Sequence, residues 1–215
     1  MNRRTALLIS TIGFVGLYVA SVVALGTPPG VNDQGAVVVK WLQEHHDAVR
    51  WSTWLAVLST PLFASHAILM RDWITGTAGR FYLLGATAIL ILTTLSTWVM
   101  TGLARRPESL DPATARTLLD VSAYWGPTLT SFTVLTLGAI AWASLLDHRL
   151  PRWVGVLATI ALVEQAVETV TVFGTSGFIA AGGPMNTMLG AGLTVLTWLL
   201  AGIIAARQTP ASITA

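Results

Sequence analysis

Cysteine is missing from this sequence altogether, which excludes disulfides, thiol nucleophiles and thiolate metal sites. Charge is nearly as scarce. Only 10% of the 215 residues are Asp, Glu, Lys or Arg, where soluble domains carry about 25%. Hydrophobic residues make up 53% of the chain, and mean hydropathy is +0.68. So few charges do not cover a soluble globule, and the composition is that of an integral membrane protein. The formal charge is +2, and no run of Lys and Arg exists, so nucleic acid is not an expected partner. Also lacking are a Gly-rich phosphate loop, a HExxH pair, a Ser-His-Asp order and a haem ligand pair. No lysine lies within an apolar run, which excludes a retinal Schiff base. No cofactor is expected.

What the sequence does have is length in its apolar runs. Six segments can span a bilayer, roughly 5–25, 49–70, 81–103, 123–146, 153–174 and 184–206. Gly and Pro clusters separate them, among them Gly26-Thr-Pro-Pro-Gly30, Leu150-Pro151 and Gly182-Gly-Pro184. The first run follows Arg3-Arg4 in the manner of a signal peptide, but it is long enough to span and lacks a good cleavage site. The expected fold is therefore all-α: an integral membrane bundle of six transmembrane helices with two short amphipathic outer-loop segments, residues 33–50 and 111–121. Continuity of these segments with the next span is the alternative. Asp111-Pro112 suits an N-cap and first turn. One domain covers residues 1–207, and residues 208–215 form a short tail.

Basic residues set the expected orientation. With the N-terminus inside, seven basic residues face inward and five outward. This predicts that both termini are cytoplasmic; the expected location is a bacterial-type inner (plasma) membrane.

Within the apolar runs, Glu164 and Glu168 stand out. They lie one helical turn apart in a stretch that otherwise reads as lipid-embedded helix. An ionised side chain near the bilayer centre costs about 3 kcal/mol on insertion scales, so such residues face a bundle interior or a wet cavity. At about 1.5 Å per residue, Glu164 falls near the midplane and Glu168 one turn outward. Gln165 lies alongside, and Thr171 and Thr175 extend the same face. Other spans offer polar residues at similar depth: Thr94 and Thr97 with Trp98 beside them, Tyr124, Thr128 and Ser131 on one face, and Arg50 at the outer end of the second span. Together these predict a pocket in the outer half of the membrane, with Arg50 close to Glu168. Each Thr or Ser has a structural alternative, since its hydroxyl can bond the carbonyl four residues back. For the glutamates the alternative is a hydrogen-bond node or an ion pair with Arg50.

The run Glu44-His45-His46-Asp47 resembles a metal site, but neighbouring histidines diverge on a helix and no further ligand follows at i+4. No metal is expected. His66 shares a heptad stripe with Ser52 and Ser59, which favours a packed histidine bonded to another helix. Pro61 predicts a kink in the second span. Most of the nine Trp lie near span ends, as an aromatic belt requires.

The stretch Leu150-Pro-Arg-Trp-Val-Gly-Val-Leu-Ala158, together with Leu196-Thr-Trp-Leu-Leu-Ala-Gly202, resembles recurrent stretches in a broad bacterial family. Its members are small multi-pass membrane proteins catalogued as a domain of unknown function. The resemblance implies a helical membrane bundle and transfers no catalytic residue.

Three functions remain open on the sequence. The first is binding of a lipophilic small molecule or lipid, with acid–base chemistry such as isomerisation or cyclisation carried by Glu164 and Glu168. The second is a proton-coupled transporter or exporter using the same carboxylates; no inverted repeat is evident, though a homo-oligomer could supply the second half. The third is a non-catalytic accessory membrane subunit.

Overall fold

A computed structural model describes residues 2–123 and 125–209. Among them there is helix and no strand. The seven α-helices are α1 (Arg3–Leu25), α2 (Gly35–Ile74), α3 (Gly76–Leu103), α4 (Pro112–Ala123), α5 (Trp125–Leu145), α6 (Arg152–Glu168) and α7 (Ala191–Gln208). All but α4 are, with the turns that extend α6 and α7, long and apolar enough to cross a membrane. The protein is thus a multi-pass membrane protein with an all-α fold.

The six spans form a ring in which α1 packs on α2, α2 on α3, α3 on α5 and α5 on α6, and α7 closes between α6 and α1. The shared core takes Phe14 from α1, Phe63 and Met70 from α2, Tyr82 and Ile89 from α3, Ile140 from α5, Val154 from α6 and Trp198 from α7. Small residues let the backbones approach: Ala201, Gly202, Ala205 and Ala206 are all buried on α7. The opposite faces carry exposed Ile, Val and Leu, for example Ile9, Ile12 and Val23 on α1, the surface that hydrocarbon solvates without cost. Trp51, Trp54, Trp142 and Trp153 are exposed near span ends.

The segment expected as a separate outer-loop helix over 33–50 is instead the first part of α2. With 40 residues, α2 is about 60 Å long, twice the hydrocarbon thickness of about 30 Å. Its bend is at His45, whose torsions are non-helical (φ −118°, ψ 15°). The His45 ring stacks on Trp41 at 5.2 Å and its Nδ1 lies 3.0 Å from the Trp41 carbonyl. Pro61, where a kink was expected, keeps helical torsions. The other expected segment is α4. Asp111 caps it, accepting from the Thr114 N–H at 2.9 Å and the Thr114 hydroxyl at 3.1 Å. These bonds hold the Asp111 carboxyl below the usual carboxylate range, the Thr114 N–H first. A second, smaller core joins α4 to the ends of α2 and α3 through Val38, Leu42, Val49, Met100, Leu103, Ala115 and Leu119.

Candidate functional site

The face of α6 that meets α5 and α7 carries Gln165 and Glu168, both 3% exposed. α6 ends at Glu168 and tightens into a 3-10 turn over Thr169–Phe173. The chain returns through Gly182–Pro184 into a π-helical turn, Met185–Gly190, before α7 begins. The widened turn places Asn186 opposite Glu168. The Asn186 amide donates to Glu168 Oε1, and the Gln165 amide donates to Glu168 Oε2. The Gln165 amide also lies 3.0 Å from Glu164 Oε2, so one amide bridges both carboxylates. The Gln165 carbonyl accepts from the Thr133 hydroxyl of α5. Asn186 is itself held by the Gly182 N–H, 2.9 Å from its Oδ1. One turn along α5, Thr136 Oγ1 accepts from Trp198 Nε1 at 3.2 Å. Three helices therefore meet on a polar chain of neutral donors around a buried carboxyl.

Glu168 has no Arg, Lys or His within 4.0 Å among the described residues. Amides satisfy both of its oxygens instead. Glu164 differs. It is half-buried, and its Oε1 is shielded yet has no hydrogen-bond partner. The Thr171 and Thr194 hydroxyl oxygens are likewise buried without a partner. Gly190 explains how the carboxyl fits: a Cβ there would overlap Glu168 Oε2 and lie 2.6 Å from Gln165 Nε2. Among the described residues, no group of three or more His, Asp or Glu is arranged to hold a metal ion.

Among the described residues, Gln165 is the one expected binding residue that hydrogen-bonds the glutamates. Thr171 is buried as expected, but Thr175 is exposed because the helix has already ended. Arg50 is not near Glu168; its partner is Asp47, at 3.5 Å on the exposed side of α2. Trp98 is 73% exposed, and the Thr94 and Thr97 hydroxyls bond the carbonyls of Leu90 and Thr93 on their own helix. Thr128 and Ser131 are exposed, so α5 turns its other polar stripe inward. Tyr124 lies outside the described residues. Among the described residues, Arg50, Thr94, Trp98, Thr128 and Ser131 are exposed and Thr97 is half-buried, so these side chains do not come together in the expected outer-half pocket. Sequence reasoning passed over Thr133, Thr136, Asn186, Gly190 and Trp198. A signal existed for α5: Thr130, Thr133 and Thr136 recur every third residue and are all buried. None existed for Asn186, whose placement depends on the π turn.

A separate polar node lies toward the chain termini. His66 is fully buried, with Nδ1 2.9 Å from Thr11 Oγ1 of α1 and Nε2 2.8 Å from the Tyr82 hydroxyl of α3. Phe14 and Phe63 flank its ring. Both ring nitrogens are satisfied by neutral hydroxyls, so this histidine staples three helices together. Gly202 of α7 completes the node, since a Cβ there would lie 2.5 Å from Thr11 Oγ1 and 3.0 Å from His66 Cε1.

Comparisons with protein-family models, with curated proteins and with solved structures found no match.

Proposed function

We propose that this protein binds a lipophilic or amphipathic small molecule within the membrane through Glu164, and that the Glu164–Gln165–Glu168 unit moves a proton to or from it. The observation that carries this reading is the Glu164 Oε1 atom, shielded from solvent and without a partner. A shielded carboxyl oxygen with an open lone pair is costly unless something supplies a donor. A ligand hydroxyl or amine would supply it. Gln165 couples that oxygen's carboxyl to the sequestered Glu168, so a change of charge at one carboxyl is felt at the other. On the basic-residue count, the site lies toward the extracytoplasmic side of a bacterial-type inner membrane.

A proton-coupled transporter is the second reading. It is favoured by the loss of regular α geometry on both sides of the carboxyl, a 3-10 turn after Glu168 and a π turn before α7. Broken helices at a polar site are a device of transporters.

The test is to extract and identify lipophilic compounds that co-purify with the protein, comparing wild type with Glu164→Gln. Gln keeps the shape but cannot exchange the proton. A compound retained by wild type and lost from the folded variant supports the reading; identical retention by both refutes it. Proton uptake by proteoliposomes that requires Glu168 and no bound compound would favour the transporter.

A further inference from the structure

Apart from the carboxylate unit, with which it shares no lining residue, a shallow cavity of about 310 Å³ lies between α2 and the connection that follows α3. It is lined by Gln43, His46, Arg50, Arg105, Pro107 and Glu108. Arg105 has no ion pair among the described residues, and Arg50 has only the long 3.5 Å contact to Asp47. Two guanidiniums thus share one cavity with a single carboxylate, Glu108, in its lining. Their level in the membrane is fixed by their neighbours. Arg50 directly precedes Trp51, which is 60% exposed and packs edge-on against Trp54, also exposed, at 5.4 Å. Arg105 follows the last residue of α3, Leu103, by two positions. Exposed tryptophans sit at headgroup depth, so the cavity opens where phosphates of the lipid layer lie.

We propose that this cavity seats the phosphate of an amphiphile's headgroup between Arg50 and Arg105, with Glu108 facing any amine on that headgroup. Guanidinium is the side chain best matched to phosphate, because its fork of donors meets two oxygens at once. Glu108 beside the pair would repel a bare dianion and welcome a zwitterion. The site is independent of Glu164 and Glu168, and its failure leaves the carboxylate reading untouched.

The test is thermal unfolding of the full chain in mild detergent, titrated with phosphatidylethanolamine, phosphatidylglycerol, diacylglycerol or inorganic phosphate. The two phospholipids should raise Tm, and diacylglycerol should not. Inorganic phosphate alone matching the phospholipids would assign the same guanidinium pair to a free anion. Arg50→Gln with Arg105→Gln should weaken phospholipid affinity roughly thirtyfold, as removal of two interfacial cations implies. Both side chains are exposed, so the double variant is expected to fold; its unliganded Tm verifies this. Glu108→Gln should erase the preference for phosphatidylethanolamine over phosphatidylglycerol while leaving binding intact. Equal stabilisation of wild type and the double arginine variant, or equal stabilisation by diacylglycerol, would overturn the proposal.

Discussion

Replacement of Gly190 by alanine tests whether the buried carboxyl is held as described. An alanine Cβ at this position would stand 2.8 Å from Glu168 Cδ and 2.6 Å from Gln165 Nε2. Ordinary contact needs about 3.5 Å, so Glu168 Oε2, which the Cβ would overlap, must leave its place altogether, with Cδ retreating by about 0.7 Å and the Gln165 amide by about 0.9 Å. Glu168 cannot retreat freely, because Asn186 holds its other oxygen. One hydrogen bond to the carboxyl is lost, about 1.5–3 kcal/mol for a charged group. Alanine returns at most about 1 kcal/mol through its better helix propensity. The expected net loss is about 0.5–2 kcal/mol, read by reversible unfolding in mixed micelles. In a Glu168→Ala background the carboxyl is gone and the Gln165 amide, no longer held by it, can swing aside, so Gly190→Ala should cost clearly less than in wild type. Equal cost in both backgrounds would refute the account, as would a Gly190→Ala protein at least as stable as wild type.

Tyr82→Phe removes the hydroxyl bonded to His66 Nε2 and should cost roughly 1 kcal/mol; a double-mutant cycle with His66→Leu should show coupling, and simple additivity would reject the staple. Asp111 has a depressed folded pKa, so its contribution to α4 is present above the ordinary carboxylate range and is lost as pH falls through the folded value. Protection factors of the α4 amides, which are corrected for the intrinsic pH dependence of exchange, should therefore fall on acidification in wild type and not by this route in Asp111→Asn. The native chain has no cysteine, so single Ser109→Cys and Asp147→Cys variants report sidedness: an impermeant maleimide applied to whole cells should label the first and not the second, and the reverse pattern would invert the orientation.

Much of this architecture could be read from composition and run length. Six apolar runs separated by Gly and Pro gave the spans because hydrocarbon thickness fixes the length of each. The Asp111 cap and the bonded His66 were legible for local reasons, one a capping residue beside Pro112, the other a lone polar side chain in a heptad stripe. The site was legible only along α6. Gln165 and Glu168 share a face that helical spacing defines, but which face of α3 or α5 points inward depends on packing. Thr94 and Thr128 were chosen on depth and on a shared helix face, and neither says whether that face points to the bundle or to lipid. Asn186 and Gly190 could not be reached, since their register follows from one turn of π geometry. The bend at His45 was likewise invisible, while Pro61, the usual suspect, is accommodated.

Gly202 meets Thr11 and His66 across almost the whole length of the chain. The consequence concerns the order of assembly. α2 and α3 are joined through Thr75 alone, with φ of +62°, and can pair as a hairpin as soon as both are made. α1 joins them locally through Thr11 and His66. That early three-helix unit carries an open notch until α7 is synthesised, and the notch accepts a helix with no side chain at one position. Ring closure is therefore a late event with a narrow steric specification. A failure of α7 to dock would leave Thr11 and His66 without the backbone that Gly202 lays against them.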